Sequence, residues 1–462
     1  MRVLVLDVVG LRPRDLALAP NLRALAASGF AAPMRTVFPA VTCSVQATWL
    51  TGTLPREHGI VANGWYFRDL AQVWLWRQAN QLVQGEKVYT TALRRDPATN
   101  CAKMFWWFNM YADVAYGVTP RPEYHADGLK KPGLYSTPAE LHARLERQLG
   151  PFPLFQFWGP GADIRSTRWI VDATLRVISE HDPALVLAYL PHLDYDHQRF
   201  GPDDPRSRAA VADVDREAGR LIDVARAHGA RILVMSEYGI EHADTPVFLN
   251  RVLHERGLLA VQETSHGQLL DCGASRAFAV ADHQIAHVYV NAPDDVPQVR
   301  DLLRGIPGVG AVMDRDAQRA AGIDHERAGE LVCEAEPGCW FAYHYWLDEA
   351  RRPDFATTVD IHRKPGYDPT ELFVDPGLRL PKLRVAHRLA KKLLGFRYLM
   401  DVIGTDPSIV RGSHGRRTTD PEIGPVFIDS SADAAADAVD ATEVRDRILA
   451  ALAAPPRLNA PR

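Results

Sequence analysis

Side chains that could bind a divalent cation recur at distant points of the sequence. The carboxylates of Asp7, Asp194 and Glu237 each come at or just after a short apolar run, and His414 lies in a glycine-rich turn near the C-terminus. Thr42 precedes a segment with helical spacing. Carboxylates and imidazoles are ligands of divalent metals, and a threonine hydroxyl can serve as an activated nucleophile. Together they indicate a candidate site for a divalent metal with a hydroxyl nearby, provided that the fold gathers them.

The elements between these residues predict a fold that would do so. The apolar runs at 3–6, 185–190 and 232–235 are typical of strands buried on both faces. Long amphipathic stretches at 167–181 and 208–228 are predicted helices. Strands alternating with such helices indicate a parallel sheet covered on both sides. Ligands of such sheets bind beyond the carboxyl ends of the strands, which is where the three carboxylates fall.

The segments Val37–Ser44 and Leu50–Asn63, which follow Asp7, carry a resemblance. They resemble the nucleophile region of the alkaline phosphatase superfamily, in its nucleotide pyrophosphatase/phosphodiesterase-like branch. The resemblance implies a three-layer α/β/α sandwich with a mostly parallel central sheet and an inserted cap subdomain. It also implies that Asp7 is a metal ligand, that Thr42 is both nucleophile and ligand, and that Asn63 hydrogen-bonds the substrate phosphoryl group.

Residues 191–202 resemble the Asp-x-x-x-His-x-x-Gly-Pro segment of that family. The match is imperfect, since the histidine position falls at Gln198 or His197. We predict Asp194 and His197 as ligands. Asp196 and His192 are reserves.

Residues 235–240 align with the family's Ser-Asp-His-Gly-Met, with Glu237 and Tyr238 in place of aspartate and histidine. A neutral phenol is a poor metal ligand, so another histidine must complete this metal or the site is altered. His242 and His283 are the candidates. We prefer His283, which lies beside a carboxylate that could orient it and precedes an apolar strand.

Two further segments carry candidate ligands. Arg411–Gly415 resembles the family's Gly-Ser-His-Gly motif, followed at the expected distance by the predicted strand 425–428, and it indicates His414 as a ligand. His362 is a further candidate, as ligand or substrate contact. Arg363 and Lys364 beside it could bind a substrate anion.

The resemblance implies two divalent metal ions. Zinc is the metal that it suggests, and manganese is compatible with the ligand types. The predicted function is hydrolysis of a phosphodiester or nucleotide pyrophosphate by Thr42. One alternative is a phosphonate hydrolase related to phosphonoacetate hydrolase, with Arg363 and Lys364 on a substrate carboxylate. Another is a degenerate member that binds without cleaving, which the Glu237–Tyr238 pair favours.

Composition sets broader limits. The chain has 462 residues, a formal net charge of -4 and five cysteines at irregular spacing. We therefore expect a cytoplasmic protein with a small-molecule phosphate ester or nucleotide as substrate, and no nucleic-acid polymer or membrane as partner. The oligomeric state stays open.

The predicted domains are a catalytic core at 1–245 and 386–430, a cap at 246–385, and a C-terminal helix with a flexible tail at 431–462. A basic amphipathic helix is predicted at 388–403, with its leucines inside and a solvated basic face. The aromatic cluster at 105–111 is interpreted as hydrophobic core.

Overall fold

The computed structural model describes residues 1–126, 130–396 and 398–454. Its strands are β1 Val3–Val8, β2 Phe30–Arg35, β3 Gly64–Phe67, β4 Gln72–Leu75, β5 Cys101–Met104, β6 Tyr116–Pro120, β7 Glu123–Tyr124, β8 Lys130–Lys131, β9 Leu134–Thr137, β10 Leu185–Leu190, β11 Arg231–Met235, β12 Glu241–Val247, β13 Ala260–Thr264, β14 Gly267–Asp271, β15 Ala277–Asp282, β16 Ile285–Val290, β17 Val309–Met313, β18 Leu331–Ala335, β19 Gly338–Phe341, β20 Gly412–Ser413, β21 Val426–Asp429 and β22 Val439–Asp440. Its α-helices are α1 Pro20–Ser28, α2 Thr42–Thr51, α3 Pro55–His58, α4 Val88–Arg95, α5 Leu141–Leu149, α6 Leu154–Phe157, α7 Ile164–His181, α8 His192–Phe200, α9 Pro205–Ala227, α10 Leu249–Glu255, α11 Val296–Arg304, α12 Arg315–Ala321, α13 Pro381–Leu393 and α14 Val444–Ala453.

A large central sheet organises the molecule, with the strand order β22-β2-β21-β11-β1-β10-β5-β6-β9. The run β11-β1-β10-β5-β6 is parallel throughout. β21 joins from the far end of the chain and pairs antiparallel with both β11 and β2. Strands β1 and β10 are buried along their whole length, which explains why their sequences are continuous apolar runs.

Helices cover both faces of this sheet. Apolar side chains of α1, α7 and α9 pack on one face of β1, β10 and β11. Those of α2, α4 and α14 pack on the other face. The arrangement is the predicted three-layer α/β/α sandwich.

The carboxyl ends of the central strands meet at one edge, and the functional side chains are placed there by register. Asp7 in β1 pairs with Tyr189 of β10 and Met235 of β11. The chain then leaves β10 into α8, which carries Asp194, and leaves β11 directly into Glu237. Parallel pairing therefore brings residues separated by more than 180 positions to neighbouring strand ends.

A second sheet, β15-β16-β18-β17, is wholly antiparallel and lies inside the region predicted as the cap. Its hydrophobic residues pack together with those of the β3–β4 hairpin and with part of α2. The cap is thus attached to the core beside the strand ends. The exact domain boundaries stay a prediction.

The structure differs from the sequence-based prediction in the basic segment. The helix spans Pro381–Leu393 rather than 388–403. Leu389, Leu393, Leu394 and Leu399, predicted to lie inside, are all exposed. Periodicity shows which residues share a helix face, but it does not show which face packs.

The predicted C-terminal helix is α14. The predicted flexible tail falls mainly on residues 455–462, which lie outside the described residues. Among the residues that are described, no helix is both long enough and apolar enough to cross a membrane.

Candidate active site

Thr42 is the first residue of α2 and is buried beside Glu237. Its hydroxyl donates a hydrogen bond to Glu237 Oε2 at 2.8 Å, and Tyr238 Oη lies 3.1 Å from Thr42 Oγ1. A carboxylate that accepts a hydroxyl proton can increase the nucleophilicity of that oxygen. The unpaired N–H groups at the start of a helix also favour an anion at this position.

Gln46 bridges two carboxylates one turn along α2. Its Nε2 donates to Asp7 Oδ2 and to Glu237 Oε1, both at 2.8 Å. Its Oε1 accepts the backbone N–H of Trp107 at 2.8 Å, which fixes the orientation of the amide. A neutral NH₂ group therefore lies between the two carboxylates that the resemblance assigns to a metal.

Burial and mutual proximity disfavour ionisation of this carboxylate pair. Burial, followed by the charge of Glu237, raises the pKa of Asp7 well above its usual value. Burial raises the pKa of Glu237 to about 7, against the hydrogen bonds from Thr42 and Gln46 that lower it. Two adjacent buried carboxyl groups do not both ionise readily unless a cation or a proton is shared between them.

Asp194 and His414 form the other half of the site. His414 Nε2 lies 3.8 Å from Asp194 Oδ1, and its Nδ1–H donates to the Ala40 carbonyl at 2.9 Å. The ring therefore turns an unprotonated Nε2 toward Asp194. Tyr238 Oη donates to Asp194 Oδ1 at 3.4 Å, and burial raises the pKa of Asp194 to about 6.

Four rings stack in a column across the site. Tyr238 stacks on His414 with centroids 3.5 Å apart, His414 lies 3.8 Å from His283, and His283 stacks on Tyr367 at 3.6 Å. Burial and then the neighbouring His283 lower the pKa of His414 well below its usual value. His414 is therefore a neutral imidazole near neutral pH.

His283 and Asn63 are joined through one carboxylate. Asp282 accepts hydrogen bonds from His283 Nδ1 at 2.7 Å, from Asn63 Nδ2 at 3.0 Å and from the Asn63 backbone N–H at 2.8 Å. His283 adopts a left-handed conformation, with φ of 61°, in the turn between β15 and β16. Such strain in a non-glycine residue is typical of functional sites. The cap thus delivers an oriented imidazole to the core.

Other sequence-predicted residues lie elsewhere. His197 is buried with no side-chain hydrogen-bond partner on either ring nitrogen. Burial lowers its pKa to about 4, and the charges that also act on it are those of Asp15, Arg12 and His192 rather than the site carboxylates. His242 is exposed beside Asp244. The structure brings neither of them to Asp194.

In the loop that carries His362, both predicted anion-binding side chains, Arg363 and Lys364, already pair with carboxylates. Lys364 is buried between Asp368 and Glu371 at 2.7 Å from each, so its charge is already balanced. Arg363 is exposed and pairs with Asp360. The ring of His362 lies 6.2 Å from that of Tyr124.

The residues fit a divalent cation as a donor set. Asp7 Oδ1 and His414 Nε2 are buried acceptors without a hydrogen-bond partner, and buried polar atoms normally have one. Asp7, Glu237 and Asp194 supply carboxylate oxygens near these two atoms. As the side chains lie, however, no three His, Cys, Asp or Glu residues converge on one point within the described part of the chain.

Two contributors were not anticipated as functional: Gln46 and Tyr367. Asp282, by contrast, is the carboxylate expected to orient His283, and it accepts a hydrogen bond from His283 Nδ1. A signal existed for Gln46, because it follows Thr42 by four residues and therefore lies on the same helix face. Gln198, noted only as an alignment position, accepts a hydrogen bond from Tyr367 Oη at 2.8 Å. Nothing in the sequence near Tyr367 indicated that it would reach the site.

The aromatic cluster divides into two parts. Phe105, Trp106 and Phe108 are buried, as the core interpretation predicts. Trp107 is partly exposed and packs against Trp76 with centroids 4.9 Å apart. Trp76 and Tyr367 line the same small cleft.

Comparison with known proteins gives a family match and several structural neighbours. A family model described as type I phosphodiesterase / nucleotide pyrophosphatase matches residues 3–368. An uncharacterised pyrophosphatase/phosphodiesterase of Schizosaccharomyces pombe is 24% identical over 61% of this chain and 53% of its own length. Human ectonucleotide pyrophosphatase/phosphodiesterase family member 7 is 26% identical over 49% of this chain and 44% of its own length. The chain thus spans about half the length of the curated relatives that it matches.

Solved structures share the fold. Murine ectonucleotide pyrophosphatase/phosphodiesterase 5 has a TM-score of 0.60 at 15% identity, covering 100% of this chain and 97% of that one. Phosphonoacetate hydrolase from Sinorhizobium meliloti, in complex with phosphonoacetate, has a TM-score of 0.62 at 14% identity, covering 98% and 96%. At these identities the likeness establishes the architecture alone.

Proposed function

Since the chain belongs to the type I phosphodiesterase / nucleotide pyrophosphatase family, we propose that it hydrolyses a phosphodiester or nucleotide-type pyrophosphate bond through Thr42. The observation that carries the proposal is the buried Thr42–Glu237 hydrogen bond at the start of α2. It couples a hydroxyl to a carboxylate at the place where a helix start favours a phosphoryl group.

In the proposed reaction the Thr42 oxygen attacks phosphorus and its proton passes to Glu237 Oε2. The bond to the leaving oxygen breaks, that oxygen takes the proton from Glu237, and a phosphoryl- or nucleotidyl-threonine remains. Water then attacks the same phosphorus, the bond from phosphorus to Thr42 Oγ1 breaks, and one proton of the water passes to Oγ1 and restores the hydroxyl. Asn63, held by Asp282, would direct its remaining amide hydrogen toward a phosphoryl oxygen.

The proposal includes divalent cations, with named side chains as their ligands. Asp7, Thr42 and Glu237 would hold one, and Asp194 with His414 and His283 the other, with His197 requiring a rearrangement of α8 to take part. A bound cation would neutralise charge on the phosphoryl oxygens. The first set is all oxygen, which suits manganese as well as zinc.

The substrate class follows from the walls of the site. Trp76 and Trp107 offer partly exposed aromatic surface, and Trp76 packs against the buried Tyr367 of the ring column. A nucleobase or aryl group on the leaving side would stack there. Phosphonoacetate as substrate is less well supported, because Lys364 is already neutralised by two carboxylates.

A second function is favoured by Gln46. Its amide donates hydrogen bonds to both Asp7 and Glu237, whose oxygens a cation would need, and Tyr238 stands where the family pattern has a histidine. A member with such a site would bind a phosphate ester without cleaving it.

One experiment separates the two functions. The metal content is measured by elemental analysis, and turnover is assayed on a chromogenic phosphodiester, the matching monoester and phosphonoacetate, with added zinc or manganese. We expect diesterase activity that falls by about 10³-fold or more in Thr42→Ala and survives in part in Thr42→Ser. Thr53→Ala, on the same segment but away from the site, is the matched control.

Equal diesterase rates in the wild-type protein and Thr42→Ala would contradict the threonine mechanism. If the protein showed no turnover with either metal but bound AMP in calorimetry, the hydrolase proposal would be wrong and the binding function would be supported.

A further inference from the structure

Helix α13 is oriented with its apolar side outward. No residue of the helix is buried. Leu393 is 87% exposed and Leu394 is 72% exposed, with Leu383 at 62%. A surface helix of a globular protein normally presents the opposite side to water. The exposed apolar surface continues past the helix end at Phe396.

Ion pairs hold the helix in this orientation. Arg388 donates to both carboxylate oxygens of Asp401 at 2.8 Å, and Arg384 pairs with the same carboxylate. The segment is closed at its base, where the Asp375 N–H donates to the Val402 carbonyl at 2.9 Å. The polar side of α13 is therefore tied to the returning chain, and this leaves the leucines on the outside.

The segment is also cationic in an otherwise acidic chain. Between Leu378 and Asp401 the sequence contains no Asp or Glu, and its basic residues are Arg379, Lys382, Arg384, Arg388, Lys391, Lys392 and Arg397. The whole chain has a formal net charge of -4. Within the described residues, Lys382, Lys391 and Lys392 are in no ion pair with a carboxylate. This positive charge flanks the exposed leucines.

We propose that α13 is an interfacial helix that docks this protein on an anionic phospholipid bilayer. A helix with leucine and phenylalanine on one side and lysine and arginine beside them lies in the plane of the membrane interface. The leucines enter the acyl boundary, and the lysines at its margin meet lipid phosphates. The charge selects this partner, since a second copy of the chain would bring the same cations together.

The proposal departs from the expectation that no membrane is a partner, and it does not depend on the proposed hydrolase activity. It gives the molecule a defined orientation on the surface. The segment is connected to the 354–372 region: the Ile403 N–H donates to the Thr357 carbonyl at 3.4 Å. Tyr367 of that region stacks on His283.

Vesicle flotation of the full-length protein tests the proposal. We expect partitioning to phosphatidylcholine vesicles that contain phosphatidylglycerol, little partitioning to pure phosphatidylcholine, and a decrease at high salt. Lys391→Gln with Lys392→Gln should weaken binding by about thirtyfold, because each cation near the surface contributes about fivefold. Leu393→Ser with Leu394→Ser should weaken it by at least about tenfold.

Matched controls are Lys131→Gln and Leu70→Ser, which change exposed residues elsewhere. Both should float like the wild-type protein, and circular dichroism should confirm that all variants are folded. Equal flotation of wild-type protein and α13 variants would overturn the proposal. So would binding that ignores lipid charge, or a Leu393-dependent dimer in light scattering without flotation.

Discussion

At the residue scale, the site is distinguished by buried carboxyl groups whose side-chain partners are neutral. Asp7 and Glu237 share the amide of Gln46, and Asp194 faces a neutral His414. A neutral amide donates hydrogen bonds to carboxylates but does not cancel their charge. In the absence of metal, a proton held by the Asp7–Glu237 pair is the simplest compensation.

Because this carboxyl pair retains a proton, the stability of the folded protein should depend on pH. The pKa of Glu237 is about 7 in the folded protein, against 4.5 as its ordinary value. Between these two values the folded protein retains a proton that the unfolded chain releases, so stability must decrease as the pH rises through this window. With a chelator present, we expect the free energy of unfolding of the wild-type protein to fall by roughly 3 kcal/mol between pH 4.5 and pH 7, relative to that of Glu237→Gln.

Urea denaturation at several pH values measures this difference. Added manganese should remove or reverse the trend, because a bound cation replaces the proton. Parallel pH profiles for wild-type protein and Glu237→Gln would show that the pair holds no proton.

At the scale of elements, the strands were the most predictable part and the side-chain partners the least. Continuous apolar runs identify β1, β10 and β11 because strands buried on both faces need no polar residues. Their order places Asp7, Asp194 and Glu237 at one edge. The contact of Tyr367 with His283 could not be predicted, since it depends on how a loop some 80 residues away packs on the turn.

That loop is held by a buried ion triad. Lys364 lies between Asp368 and Glu371, and Glu371 also accepts the indole N–H of Trp158. Replacing the lysine by an apolar residue leaves two buried carboxylates without a cation. We therefore expect Lys364→Met to lower the free energy of unfolding by about 3–5 kcal/mol.

Denaturant unfolding checks this prediction. Arg363→Met is the control, because that side chain is exposed and its pair with Asp360 should contribute less than about 1 kcal/mol. A Lys364→Met variant as stable as Arg363→Met would mean that the triad does not stabilise the loop.

At the scale of the whole molecule, the two ends of the chain complete one sandwich. β21 returns from beyond the cap to pair with β11 and β2, and α14 then packs on the face that holds α2. Motifs at Thr42 and at His414 are therefore parts of one core, although the cap separates them in sequence. The sequence motif predicted β21 correctly as a strand, but not its antiparallel position inside a parallel sheet.

This closure makes α14 a support for α2, the helix that begins at the proposed nucleophile Thr42. Ile448 of α14 is buried in the same cluster as Val45 and Trp49 of α2, the helix that begins at Thr42. Ile448→Ala should lower stability by about 2–5 kcal/mol through the cavity that it creates. Turnover should also fall, because α2 loses packing contacts. Asp446→Ala changes an exposed position of α14 and should alter neither stability nor turnover.

A chain that ends at Ala454 retains β22 and α14 and serves as the reference for truncation. A chain that ends at 436 loses β22 and α14, so we expect its melting temperature to fall by at least about 10 °C. If the shorter chain were as stable and as active as the longer one, α14 would be an accessory to the fold. The proposed coupling between the end of the chain and Thr42 would then be wrong.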